Sequence, residues 1–110
     1  MDLNPFIEDF MQISGIISIG IANINTCDDV VISKENLEEF RKIIKDLCQT
    51  IPEKVLDLDI NSFRFKGNVH SIIGFVEQDT IIIFIALNNT NLTILKSKVD
   101  RFLNELLINI

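Results

Sequence analysis

Tryptophan and tyrosine are missing from this 110-residue chain, and histidine occurs once, at position 70. With one histidine, and with two cysteines, Cys27 and Cys48, far apart in sequence, no zinc site is expected. The cysteines match no metal or redox spacing, and nothing basic surrounds Cys27 in sequence, so both read as inert, reduced thiols of a cytosolic protein. The four glycines, at positions 15, 20, 67 and 74, are too scattered to form a phosphate-cradling loop. Basic residues are outnumbered 10 to 16, giving a net charge of −6, and no Lys/Arg cluster stands ready to displace counterions from a phosphate backbone. Nucleic acid is therefore not an expected partner. The longest unbroken apolar run, Ile81 to Leu87, is too short to cross a bilayer as a helix, so no direct membrane insertion is expected. The first ten residues, MDLNPFIEDF, are acidic and amphipathic, without the basic start and apolar core of a secretory signal. The expectation is a soluble, cytoplasmic protein.

Apolar residues, by contrast, are abundant. They make up 47% of the chain, with eight Phe and a surplus of Ile and Leu. Mean hydropathy is +0.31, the reverse of a disordered composition. The length fits one domain spanning residues 1–110, which would hide roughly 65% of its unfolded surface. A domain this apolar either covers sheet strands on both faces or hides surface against a partner. Most acidic residues precede Asp59. They read as solvated helix faces, the alternative being an acidic face for a basic partner.

Periodicity sets out the elements. Leu3, Phe6, Ile7, Phe10 and Met11 fall at helical spacing, with Asn4 as N-cap, Pro5 at the first helical position and Gly15 as the stop. Ile16 to Ile24 reads as a strand with Ile17, Ile19 and Ile21 on one face and small Ser18, Gly20 and Ala22 on the other, where a helix can approach closely. After a turn at Asn25 to Asp28 comes a short strand, Val30 to Ile32. Ser33 with Asn36 opens a helix whose apolar stripe is Leu37, Phe40, Ile44, Leu47 and Cys48, with Ile43 beside it, and Pro52 closes the segment. Strands follow at Ile60 to Lys66, Val69 to Val76 and Thr80 to Leu87, the last apolar throughout and so central. Their connections are too short for crossovers, which makes them an antiparallel meander. A helix from Asn91 to Ile108 ends the pattern. The order is α-β-β-α-β-β-β-α.

Catalysis needs a positioned nucleophile, base or metal, and none is apparent. His70 reads as a surface or interface strand residue rather than a general base. The carboxylate pairs Asp28-Asp29 and Asp57-Leu58-Asp59 lie in a turn and a linker, outside any calcium-loop spacing. The expectation is a chain that is not an enzyme, with no cofactor and no metal.

The element order, and at residue level the stretch Val55 to Ile85, VLDLDINSFRFKGNVHSIIGFVEQDTIIIFI, resembles the roadblock/LC7 superfamily. An acidic linker leads to a strand alternating apolar and basic residues (Phe63, Arg64, Phe65, Lys66), then a short turn, His70 and an apolar hairpin, as in the dynein roadblock light chains. Two features depart from those light chains. The long final helix looks more like bacterial and archaeal roadblock proteins or Ragulator-type scaffolds, and the first turn, Asn25-Thr26-Cys27-Asp28, lacks the Gly often found there. The resemblance implies a roadblock/profilin-like α/β (α+β) fold, a five-stranded antiparallel sheet sandwiched by helices. It implies a homodimer, or a heterodimer with another roadblock-like subunit, and partnership with a Ras-like small GTPase or with a motor or scaffold subunit.

In the roadblock arrangement the strand ending at Lys66 pairs with its copy, and the helix Ser33 to Gln49 packs on its own copy across the same two-fold axis. The interface residues this implies are Ser62, Phe63, Arg64, Phe65 and Lys66 on the strand, and Phe40, Ile43 and Leu47 on the helix. Phe40 and Ile43 bracket two directions, so one of them faces the partner and the other the core. Independently of the resemblance, a strand that begins a meander lies at a sheet edge, and an unpaired edge invites another strand. Three other readings compete: a dynein-type motor-complex light chain holding a partner peptide, a profilin- or PAS-like ligand sensor, which a large apolar pocket would support, and an enzyme, which the residue inventory opposes.

Overall fold

A computed structural model describes residues 4–23, 29–34, 37–46, 62–77 and 80–108. The strand β5 (Thr80–Leu87) is the axis of the molecule. On one side it pairs with β1 (Ile16–Asn23), which pairs in turn with β2 (Asp29–Ser33). On the other it pairs with β4 (His70–Glu77), which pairs with β3 (Ser62–Lys66). The order across the sheet is β2-β1-β5-β4-β3, and every neighbouring pair is antiparallel. The sequence TIIIFIAL makes this position for β5 intelligible. A strand apolar on both faces has to be covered on both faces, and Ile81, Ile82, Ile83 and Phe84 are all fully buried.

Helices cover the two faces unequally. Helix α1 (Asn4–Met11) and helix α3 (Leu92–Ile108) lie on one face. There Ile7, Phe10, Leu95, Val99 and Phe102 pack on Ile19, Ile21, Ile73, Ile82 and Phe84. Five phenylalanines meet on this side. Phe10 stands edge-on to Phe84 at 5.3 Å and to Phe102 at 6.1 Å, Phe75 is edge-on to Phe84 at 6.1 Å, and Phe6 tilts against Phe102 at 4.8 Å, separations within the favourable range for ring pairs. A second helix, α2, helical through residues 37–46, covers the other face. Its Phe40 and Ile44 join Ala22, Val76, Ile81 and Ile83 in a smaller core. Close approach is possible because β1 is small there: a Cβ on Gly20 would overlap the Ile44 Cδ1 methyl. The expected small face of β1 is thus the seat of a helix.

Several boundaries differ from the periodic reading. Helix α1 ends at Met11 rather than running to Gly15. Beyond it the bonds tighten to three-residue turns, Gln12 N to Asp9 O and Ile13 N to Phe10 O, which bring Ile13 down into the core. Gly15, at φ 96°, then turns the chain into β1. The β1–β5 register shifts between Ile16 and Ser18, and Ile16 rather than Ile17 joins Ile19 and Ile21 on the α1/α3 face. An inserted residue of this kind reverses the facing of what precedes it, which strict alternation cannot anticipate. Ser33 does not cap α2. It closes β2 opposite Ser18, their hydroxyls 2.5 Å apart, and the ladder continues through Lys34 N to Ile17 O. Asn91 does cap α3, its Oδ1 accepting from Ile94 N at 3.1 Å. The turn Asn25 to Asp28, both cysteines, Ile24, Asn36, Leu47, Pro52, the Asp57-Leu58-Asp59 linker and Ile60 lie outside the described residues.

Candidate functional site

Among the described residues, the least covered strand of the sheet is β3, at one end. In β3 the side chains of Ser62, Arg64, Phe65 and Lys66 are exposed and Phe63 is half-buried, and only β4 pairs with it among the described residues. The register sets where its backbone groups point. Gly67 N donates to His70 O at 2.8 Å, closing the β3–β4 turn, and the pairs Phe65–Ile72 and Phe63–Gly74 follow at every second residue. In an antiparallel ladder bonded and non-bonded pairs alternate. Phe63 and Phe65 therefore exchange bonds with β4, whereas the N–H and C=O groups of Ser62, Arg64 and Lys66 point outward from the sheet. The far side of β4 agrees, since Asn88 N donates to Val69 O, so odd-numbered residues of this strand face β5 and even-numbered ones face β3.

The two faces of β3 differ in chemistry. Phe63 and Phe65 lie on the α2 face with their rings 5.5 Å apart. Phe63 spreads across Gly74, where a Cβ would collide with its ring, and packs against the smaller core. Phe65, next along the strand, is 59% exposed. Arg64 and Lys66 lie on the opposite face. Arg64 is held down by a polar chain: its Nε and Nη2 both lie 3.3 Å from Ser71 Oγ, which donates to Asn88 Oδ1 at 2.5 Å, while Asn88 Nδ2 donates to Gly67 O at 2.9 Å. Sequence reasoning did not find Ser71 or Asn88. Their only signal was an Asn in the loop after β5 and a Ser beside His70, and neither spacing brings them together without the β4–β5 register.

Between the β3–β4 hairpin and α2 runs a groove of about 500 Å³. Its walls include Ile17, Ile43, Phe65, Ile72 and Ile85, with Ser18, Glu39, Lys66 and His70 as polar points. The residues expected at an interface separate here. Phe40 is 1% exposed, belongs to the smaller core and is among the residues lining the groove. Its neighbour Ile43 is half-buried and lines the groove beside Phe65. Leu47 lies outside the described residues. His70 is exposed at the groove's edge. Among the described residues no group of three or more His, Cys, Asp or Glu side chains is placed to hold a metal ion, and no helix is long and apolar enough to cross a membrane.

No family model and no curated protein matches the sequence. Solved structures do match. A roadblock/LC7 domain from Streptomyces avermitilis superposes with a TM-score of 0.77 at 7% identity, covering 96% of this chain and 94% of that one. This chain has the roadblock/LC7 fold. MglC from Myxococcus xanthus is also similar, with a TM-score of 0.57 at 10% identity over 92% of this chain and 96% of the other. The roadblock/LC7 architecture is thus present here at a sequence identity of 7%. Shared architecture at such distance follows from layer packing and strand order, which many apolar sequences satisfy.

Proposed function

We propose that this chain is a non-catalytic scaffold or regulator, one domain acting in the cytoplasm, which dimerises through β3 and α2 and binds a Ras-like small GTPase. The observation that carries the reading is the outward row of backbone donors and acceptors at Ser62, Arg64 and Lys66, set beside the exposed ring of Phe65. Such an edge is a template for another strand, and the five residues of β3 match a short intermolecular ladder. Ile43 and Phe65, both lining the groove, extend the same surface onto α2. The GTPase partner follows from the roadblock/LC7 resemblance.

Light scattering tests the assembly, on the chain alone and with a candidate partner subunit: a particle heavier than the 12.6 kDa chain, reduced to the monomer by Arg64→Pro, is the expected result. That substitution removes an outward N–H while leaving the bonds of Phe63 and Phe65 to β4 in place. Pull-down with small GTPases loaded with GDP or a GTP analogue tests the partner, and retention of none of them in either state would reject it.

The groove favours one second reading. Its size and largely apolar walls suit a side chain or short peptide of a motor-complex partner, or a small ligand, held between α2 and the hairpin.

A further inference from the structure

The charge on β3 bears on which strand can pair with it. A two-fold axis perpendicular to the sheet makes a self-pair antiparallel, and the same residues then face one another. Three such registers keep β3 in the ladder. Centred on Arg64, the guanidinium stands opposite its own copy. Centred on Phe65, Arg64 stands opposite the copy's Lys66, twice over. Centred on Phe63, Arg64 faces Ser62 and is diagonal to the copy's Arg64, still within reach of a long side chain. Each register brings cation to cation on the α1/α3 face, and like charges opposed across a ladder are destabilising. Neither Arg64 nor Lys66 has an ion-pair partner among the described residues to neutralise it. Arg64 spends its donors on the Ser71 hydroxyl, which keeps the cation at the edge without cancelling its charge.

We infer that β3 is built to receive a strand from a different chain, one carrying carboxylates opposite Arg64 and Lys66 and apolar side chains opposite Phe63 and Phe65. This rests on the edge-pairing reading and decides what it left open, the choice between a copy and another subunit. Charge complementarity supplies the specificity, and the outward backbone groups supply the attachment. The occupant is an extended segment alternating acidic and apolar residues. Its carboxylates would lie on the α1/α3 side and its apolar side chains beside Phe65 and the groove.

Two labelled peptides test this on the intact chain, one alternating Glu with Val and the other alternating Lys with Val. The acidic peptide is expected to bind at least about tenfold more tightly, since two cross-strand charge pairs change sign between them, and its advantage should shrink as salt is raised. Arg64→Glu should erase that preference. The same variant should also strengthen self-association, because in the Phe65-centred register the carboxylate introduced at position 64 would then face the copy's Lys66 twice. Equal binding of the two peptides, binding of neither, or a wild-type homodimer that Arg64→Glu leaves unchanged or loosens overturns the inference. Arg64→Pro separates this from the underlying reading. If it abolishes association while the charge variants have no effect, β3 is the seam but charge does not choose the partner. If it has no effect on association, the seam itself is misplaced.

Discussion

β5 and β3 belong to one sheet, two positions apart, and among the described residues are its most and least enclosed strands. In β5 four consecutive side chains, Ile81 to Phe84, are fully buried between two helical layers. In β3 only Phe63 is half-buried, and Phe65 is 59% exposed. Both strands contain aromatic residues and both are regular, so composition alone does not separate them. The difference is that β5 has ladder partners on both sides and helices on both faces, whereas β3 has one ladder partner among the described residues and an aromatic ring facing a groove. Burial is concentrated at the centre of such a sheet, and the proposed association surface lies at its edge.

The largest test of that contrast is Phe84→Ala. Deleting a fully buried ring in contact with Phe10 and Phe75 should cost about 3–5 kcal/mol of unfolding free energy, read as a fall in the denaturant midpoint. Gly74→Ala probes the boundary between the regions. The new methyl displaces the Phe63 ring from its seat, at about 1–3 kcal/mol, and should alter peptide or subunit binding as well as stability. Arg64→Pro is expected to change the stability of the dilute monomer by less than about 1 kcal/mol, because an edge strand with the N–H directed outward tolerates proline, while association measured by sedimentation collapses. Smallest of all, Phe65→Ser should leave thermal unfolding within about 0.5 kcal/mol of wild type. A larger loss in the dilute monomer would mean that Phe65 is part of the core and not of a docking surface.

Much of this contrast was legible beforehand. The unbroken run TIIIFIAL placed β5 at the centre, and the alternation in Phe63-Arg64-Phe65-Lys66 marked a strand with one wet side. The small residues Ser18, Gly20 and Ala22 pointed to a close helix, and α2 lies there, over Gly20. The candidate site was less legible. Phe40 lies on the apolar stripe and Ile43 beside it, and only the angle at which α2 meets the sheet buries the first fully and leaves the second half-buried. Ser33 has the chemistry of a helix cap but continues a strand, because the backbone bond from Lys34 to Ile17 and the hydroxyl pair with Ser18 hold it in the ladder. The shift at Ile16 to Ser18 has no signature in a row of isoleucines, any of which packs equally well on either face.

The sequence by itself determined that this chain buries a strand on both faces and alternates aromatic and basic residues along another strand. These properties follow from residue type and spacing, which act locally. Tertiary structure alone decided which backbone groups of β3 point outward, that Arg64 is braced by Ser71 and Asn88, and that Phe40 and Ile43 of α2 line one groove with Phe65. The physical reason is register. A hydrogen-bonded ladder reads sequence in steps of two across strands far apart in the chain, so a displacement of one residue exchanges inward for outward at every position.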